Sequence, residues 1–163
     1  MSKLTEEDLN NLKNKLQSQY PKGRVEYIGC NRFTVAIKNQ IEIEGRYVLI
    51  DKYFLYDIDL KEILEARNFD TIYMCTNGII TVSKNSLPTF SEDDTFSRTK
   101  KFGLIDINGK ELLPCEYESA SPKLDGLVEL RREGIDFFVP IEEILEEEYV
   151  WEVYRDFYKK RNK

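Results

Sequence analysis

Apolar side chains recur three and four positions apart at Leu9, Leu12, Leu16 and Tyr20, while Asn10, Asn11, Lys13, Asn14 and Lys15 lie off that stripe. The spacing predicts a helix over 5–20 with one packed face. Thr5 is placed to cap it, Asp8 stands where a capping-box partner belongs, and Pro21-Lys22-Gly23 stops it. From 24 to 139 the pattern becomes that of strands. Residues 25–28 and 32–37 are β-branched and aromatic runs joined by Gly29-Cys30-Asn31. Gln40-Ile41-Glu42-Ile43-Glu44 alternates strictly, which assigns its isoleucines to a core face and its carboxylates to water. Gly45 breaks that run, and 46–51 reads as a more buried strand. Nothing between the runs resembles the ~10–15-residue amphipathic crossover that parallel strands need, so the meander is antiparallel. The stretch 83–99, rich in Ser and Thr, reads as a long loop.

A second helix is predicted over 141–161. Pro140 stands near its start, Glu142 and Glu143 in its first turn, and Lys159, Lys160, Arg161 and Lys163 at its end. Ile141, Ile144, Leu145, Tyr149, Trp151, Tyr154, Phe157 and Tyr158 give it a broad aromatic face, wider than a core contact requires. The fold class expected is α+β: an antiparallel β-meander of short hairpin repeats in a single domain over 1–163, with an α-helix at each end.

The chain also resembles itself. Ile105-Asp106-Ile107-Asn108-Gly109-Lys110-Glu111-Leu112-Leu113 aligns with Tyr56-Asp57-Ile58-Asp59-Leu60-Lys61-Glu62-Ile63-Leu64 at an offset of 49. At an offset of 48, Tyr117-Glu118 follows Phe69-Asp70, Ala120 follows Ile72, and Gly126-Leu127-Val128 follows Gly78-Ile79-Ile80. Each copy holds two or three short strands that cannot bury their own face, so neighbouring copies must stack. Asn108-Gly109 between apolar runs predicts a tight type I′ hairpin, and Leu112-Leu113-Pro114 the end of a strand.

Lys101-Phe102-Gly103-Leu104-Ile105-Asp106, then Asn108-Gly109-Lys110-Glu111, Leu112-Leu113-Pro114, Tyr117-Glu118 and Asp125-Gly126-Leu127-Val128 together resemble the WG-repeat family, strongest over 101–130. Phe102 stands where that family has its signature Trp. Gly134-Ile135-Asp136-Phe137-Phe138-Val139-Pro140 looks like the truncated start of another copy, and Arg46-Tyr47-Val48-Leu49-Ile50-Asp51 like a degenerate opening of the first. The resemblance implies a bacterial binding scaffold and brings no shared catalytic residues.

Composition narrows the chemistry. The 163 residues carry a formal net charge of -6, against the positive balance of a general nucleic-acid binder. There is no histidine, which removes the usual neutral-pH general base and most transition-metal sites. Cys30, Cys75 and Cys115 are widely spaced and odd in number, the pattern of reduced cytoplasmic thiols rather than a disulfide framework or zinc site. The acidic N-terminus lacks the apolar run of a signal peptide, and no stretch reaches the ~18 apolar residues of a membrane span. Glu92-Asp93-Asp94 lacks the ligand spacing of a calcium loop and reads as solvated acid.

The expected function is therefore a non-enzymatic protein–protein interaction module of a bacterial cytoplasm, with no cofactor, no metal, no direct nucleic-acid contact and no membrane segment. Its candidate partner-binding residues are Tyr149, Trp151, Tyr154, Phe157 and Tyr158 together with Glu146, Glu147 and Glu148, a run that also suits a solvated helix face. The alternative is a small acidic inhibitor, a toxin immunity protein or a phage anti-defence protein, that blocks a nuclease by occupying its basic cleft. A hydrolase working through carboxylates or a lone cysteine ranks third.

Overall fold

In the computed structural model, which describes residues 4–93 and 96–161, the capping box closes as the sequence requires. Thr5 Oγ1 accepts from the Asp8 N–H at 3.1 Å while the Asp8 carboxylate accepts from the Thr5 N–H at 3.0 Å, starting α1 (Glu6–Gln19). That second bond holds the Asp8 carboxyl below its usual range. Leu16 is fully buried, and Leu9, Leu12 and Tyr20 pack around it, so the predicted single stripe is the buried one. The first three residues, Asp94 at the end of the acidic run, Thr95, and Lys163 among the C-terminal cations lie outside the described residues.

Among the described residues three antiparallel sheets of three or four strands follow. The first joins β1 (Arg24–Gly29), β2 (Arg32–Ile43) and β3 (Arg46–Tyr56) in that order. The second joins β4 (Thr71–Thr76), β5 (Ile79–Asn85), β8 (Lys100–Asp106) and β9 (Glu111–Tyr117). The third joins β10 (Ser119–Pro122), β11 (Leu127–Arg132) and β12 (Ile135–Pro140). Alternation along the strands sets the stacking. Phe33, Val35, Phe54 and Tyr56 face α1, while Leu55 on the other face meets Ile80, Val82 and Ile105 of the second sheet. Ile79 and Leu104, on the far side of that sheet, join Val128, Leu130, Phe137 and Val139 of the third. Hydrogen bonds tie the layers: Arg32 Nε donates to Ile107 O at 2.8 Å, and Thr81 Oγ1 to Ala120 O at 3.1 Å.

The internal repeat is geometric as well as sequential. Asp57 Oδ1 accepts from the N–H groups of Asp59 and Lys61 at 2.9 and 3.1 Å. Forty-nine residues on, Asp106 Oδ1 accepts from Asn108 and Lys110 at 2.8 and 2.9 Å. At an offset of 48, the Asp70 N–H reaches Ser83 O at 2.9 Å and the Glu118 N–H reaches Arg131 O at 2.8 Å. Ile72 opposes Val82 as Ala120 opposes Leu130. These carboxylate-closed turns replace the predicted type I′ hairpin. Of Asn108 and Gly109 only Gly109 has positive φ, at 86°, because the Asp106 carboxylate holds the turn from outside.

Several further expectations are corrected. The first copy opens on Tyr53-Phe54-Leu55-Tyr56, which pairs with β2 as Phe102 to Ile105 pairs with β5; residues 46–51 lie upstream of it. Those six residues belong to an arm, the outer halves of β2 and β3, which run past the end of β1 as a two-stranded ribbon. Tyr47 is accordingly 70% and Leu49 61% exposed, and Ile41 and Ile43 are only half-buried. β9 continues through Pro114 instead of ending there, since an edge strand tolerates the missing donor at a bulge. The loop over 83–99 begins later, with Ser83 fully buried in β5, and carries a small hairpin of β6 (Thr89–Phe90) and β7 (Phe96–Ser97). The Arg46 guanidinium stacks 4.7 Å over the Phe90 ring, joining that hairpin to the tip of the arm.

The single C-terminal helix is also corrected. It is two helices, α2 (Ile141–Leu145) and α3 (Trp151–Arg161), with Glu147 in the left-handed region at φ 61° between them. One continuous helix would place Glu148 on the buried stripe between Ile144 and Trp151, a carboxylate desolvated without a partner. The break sends Glu146, Glu147 and Glu148 into water instead.

Candidate docking surface

Among the described residues the second sheet alone of the three carries a full fourth strand, and one glycine makes room for it. Phe102 opposes Tyr117 and Leu104 opposes Leu113, so three residues of β9 face Gly103 alone. A Cβ on Gly103 would come within 2.5 Å of Leu113 O. The equivalent position is Phe54 in the first sheet and Phe137 in the third, judged by pairing: Val82 opposes Gly103, Val35 opposes Phe54, and Leu130 opposes Phe137. Beside Phe54 the fourth strand shrinks to a bridge between Tyr56 and Glu62, followed by a 3-10 turn at Leu64–Asn68. Beyond β12 the chain turns into α2 and α3.

Phe137 explains the aromatic richness of the C-terminus. Its ring is 1% exposed and lies within 5.4–6.4 Å, centroid to centroid, of Trp151, Tyr154, Tyr158 and Tyr149. Tyr117 Oη donates to Tyr149 Oη at 3.1 Å, and burial pushes the pKa of both phenols up. Tyr154 Oη donates to the Glu143 carboxylate; burial first, then that acceptor, pushes the Tyr154 phenol up to about 12. The Arg132 guanidinium sits 5.0 Å over Trp151 and 5.3 Å over Tyr117, paired with Glu116 at 3.1 Å.

The predicted site residues therefore divide. Trp151, 6% exposed, is a core residue, a correction to its placement on the docking face. Tyr149, Tyr154 and Tyr158 are half-buried beside it. Phe157 is 57% exposed, and Glu146, Glu147 and Glu148 are exposed on the turn. Sequence reasoning missed Val150 and Val153, which are 47% and 65% exposed. The signal was present: Trp151, Tyr154 and Tyr158 form one i, i+3, i+7 stripe, and Val150, Val153 and Phe157 form a second beside it. A groove of about 440 Å³ follows the second stripe, walled by Val150, Val153, Tyr154 and Phe157 and edged by Glu143 and Glu148. Across Val150 a cleft of about 320 Å³ opens toward Arg132, with Glu116, Glu147 and Glu152 on its lips.

Elsewhere, burial pushes the Cys75 thiol up to about 12 and the Cys115 thiol up to about 11, so both stay protonated at neutral pH. Among the described residues no three His, Cys, Asp or Glu side chains gather as metal ligands, and no helix is long and apolar enough to cross a membrane.

The architecture defines a stack of antiparallel β-repeats capped by helices. Residues 102–127, from β8 to the start of β11, match the family model of the WG containing repeat, so the protein is a repeat-containing one with that unit at its centre. No curated protein and no solved structure matches the chain.

Proposed function

We propose that the protein is a non-enzymatic protein–protein interaction module of a bacterial cytoplasm, docking through its C-terminal cap. One observation carries the reading: among the described residues the Trp151–Tyr154–Tyr158 side of α3 packs on the core, while the Val153–Phe157 side stays largely exposed. Val150, Val153 and Phe157 hold apolar area in water next to an acidic turn, an arrangement that costs free energy unless another surface covers it. The WG containing repeat at the centre supports a scaffold role, and so do the raised thiol pKa values of Cys75 and Cys115, which make these two cysteines poor nucleophiles at neutral pH.

Affinity capture from the native cell with Phe157→Ser is the test, because Phe157 is exposed and its loss leaves the fold intact within about 0.5 kcal/mol. A partner held by the unaltered chain and by Tyr47→Ser, but lost with Phe157→Ser at unchanged melting temperature, supports the module. A partner retained by Phe157→Ser, or turnover of a substrate by the purified chain, overturns it. Trp151→Ala cannot serve, since removing a buried indole disturbs the cap itself. The acidic side of this surface favours a second reading, an inhibitor seated in a basic cleft; its association rate would fall steeply with salt.

A further inference from the structure

Resting on that docking reading, we infer that the groove along α3 receives a basic amphipathic helix of the partner. The shape argument comes from the groove's own spacing. Val153 and Phe157 on α3, with Val150 immediately before its first residue, form a ridge of i, i+3 and i+7 positions about 10 Å long. Such a ridge seats between the ridges of a second helix lying alongside it. An extended segment would need an open strand edge for its backbone, and the groove is walled by side chains of a helix whose backbone bonds are already made.

Charge selects the sign of the occupant. Residues 141–161 carry seven carboxylates against four cations, five of the carboxylates lie in 142–148 at the head of α3, and Glu143 and Glu148 edge the groove itself. Arg155, one of the four cations, already pairs with Asp156 at 3.5 Å, and the other three stand at the far end of α3. A second copy of the chain would bring the same seven carboxylates with it, and the chain's net charge is -6, so self-docking juxtaposes like charges. A segment with Leu-type anchors at helical spacing and Lys or Arg on its flanks meets both the ridge and the rim. Partners of other composition leave either the apolar stripe or the carboxylates facing water.

The probe is a fluorescein-labelled synthetic helix of Leu and Lys, about 18 residues long so that it spans the ridge with a turn to spare at each end. It is compared with a Leu/Glu helix of the same apolar spacing and a scrambled Leu/Lys peptide of the same composition. Fluorescence anisotropy with the full chain should show the Leu/Lys helix bound about tenfold tighter than the scrambled peptide, with no binding of the Leu/Glu helix. Phe157→Ser and Glu148→Lys should each weaken it about tenfold, at unchanged melting temperature. Added salt should erode the Glu148 contribution more than the Phe157 one. Equal binding of the scrambled peptide, equal binding of the Leu/Glu helix, or indifference to Phe157→Ser would overturn the inference. So would a doubled mass in sedimentation that Phe157→Ser abolishes, which assigns the face to a second copy. If capture of the cellular partner depends on Phe157 while the Leu/Lys helix shows no preference, the docking module stands and the basic helix does not.

Discussion

The middle sheet and the terminal sheets put opposite side chains into one slot. In the middle sheet Gly103 lets β9 press its backbone against β8, with three residues of β9 packed opposite one. In the first and third sheets phenylalanine fills the space that the fourth strand would take, and a helix covers the ring: α1 through Tyr20 against Phe54, α3 through Trp151 against Phe137. A single side-chain volume thus distinguishes a propagating layer from a terminating one. Repeat arrays need end units unlike their interior ones, because an interior face left open would be apolar. Here the difference extends to a strand replaced by a helical cap.

The largest effect should come from forcing the terminal solution on the middle sheet. Gly103→Phe puts a ring where even a Cβ meets Leu113 O at 2.5 Å and Cys115 N at 2.9 Å, so β9 must leave the sheet. Chemical denaturation should show a loss of more than about 3 kcal/mol, or no cooperative transition. A variant within about 1 kcal/mol of the parent would mean the slot tolerates either residue and the comparison is empty. Phe137→Ala, next in size, should cost about 3–5 kcal/mol, since five aromatic rings share that cluster and alanine leaves a cavity among them. Near-ultraviolet circular dichroism should lose its aromatic signal at the same time; a cap that stays ordered without Phe137 would contradict the packing argument.

The slot was not legible in the sequence, although the repeat around it was. Offsets of 49 and 48 emerged because Asp57 and Asp106, Asp70 and Glu118, and the paired aliphatics must recur for the turns and layers to form. The antiparallel meander, α1 and its capping box were equally readable, since each rests on local spacing. Pairing is not local. Phe54, Gly103 and Phe137 correspond only once strand registers are known, and the sequence places Phe54 beside Gly103 at an offset that reads as an ordinary mismatch. The arm misled for a related reason: strict alternation in 40–44 marks a strand with two unlike faces but cannot say whether a third layer covers the apolar one. At the C-terminus the aromatic residues read as surplus surface, because nothing in the spacing of the truncated copy over 134–140 marks Phe137 as their target. The exposed residues turned out to be the smaller Val150 and Val153 with Phe157.

The smallest effect tests whether the two turn copies are equivalent despite unequal surroundings. Asp57 and Asp106 each accept two backbone N–H groups at 2.8–3.1 Å, and both are half-buried. Removing either carboxylate should cost about 1–2 kcal/mol, because charged acceptors on exposed turns recover part of their loss from water. The surroundings differ in one respect. Gly109, in the second turn, lies against Glu65, Ile63 and Ala66 of the preceding copy, its missing Cβ leaving room for them, whereas Leu60 in the first turn takes a positive φ, 57°, with a side chain. If the turn acts only locally, Asp57→Ala and Asp106→Ala should destabilise equally. If the second turn also helps hold the layers together, Asp106→Ala should cost more, and hydrogen exchange should accelerate in Leu64–Asn68 as well as in β8 and β9. Equal costs with exchange confined to each variant's own turn would show that stacking depends on the apolar layers alone.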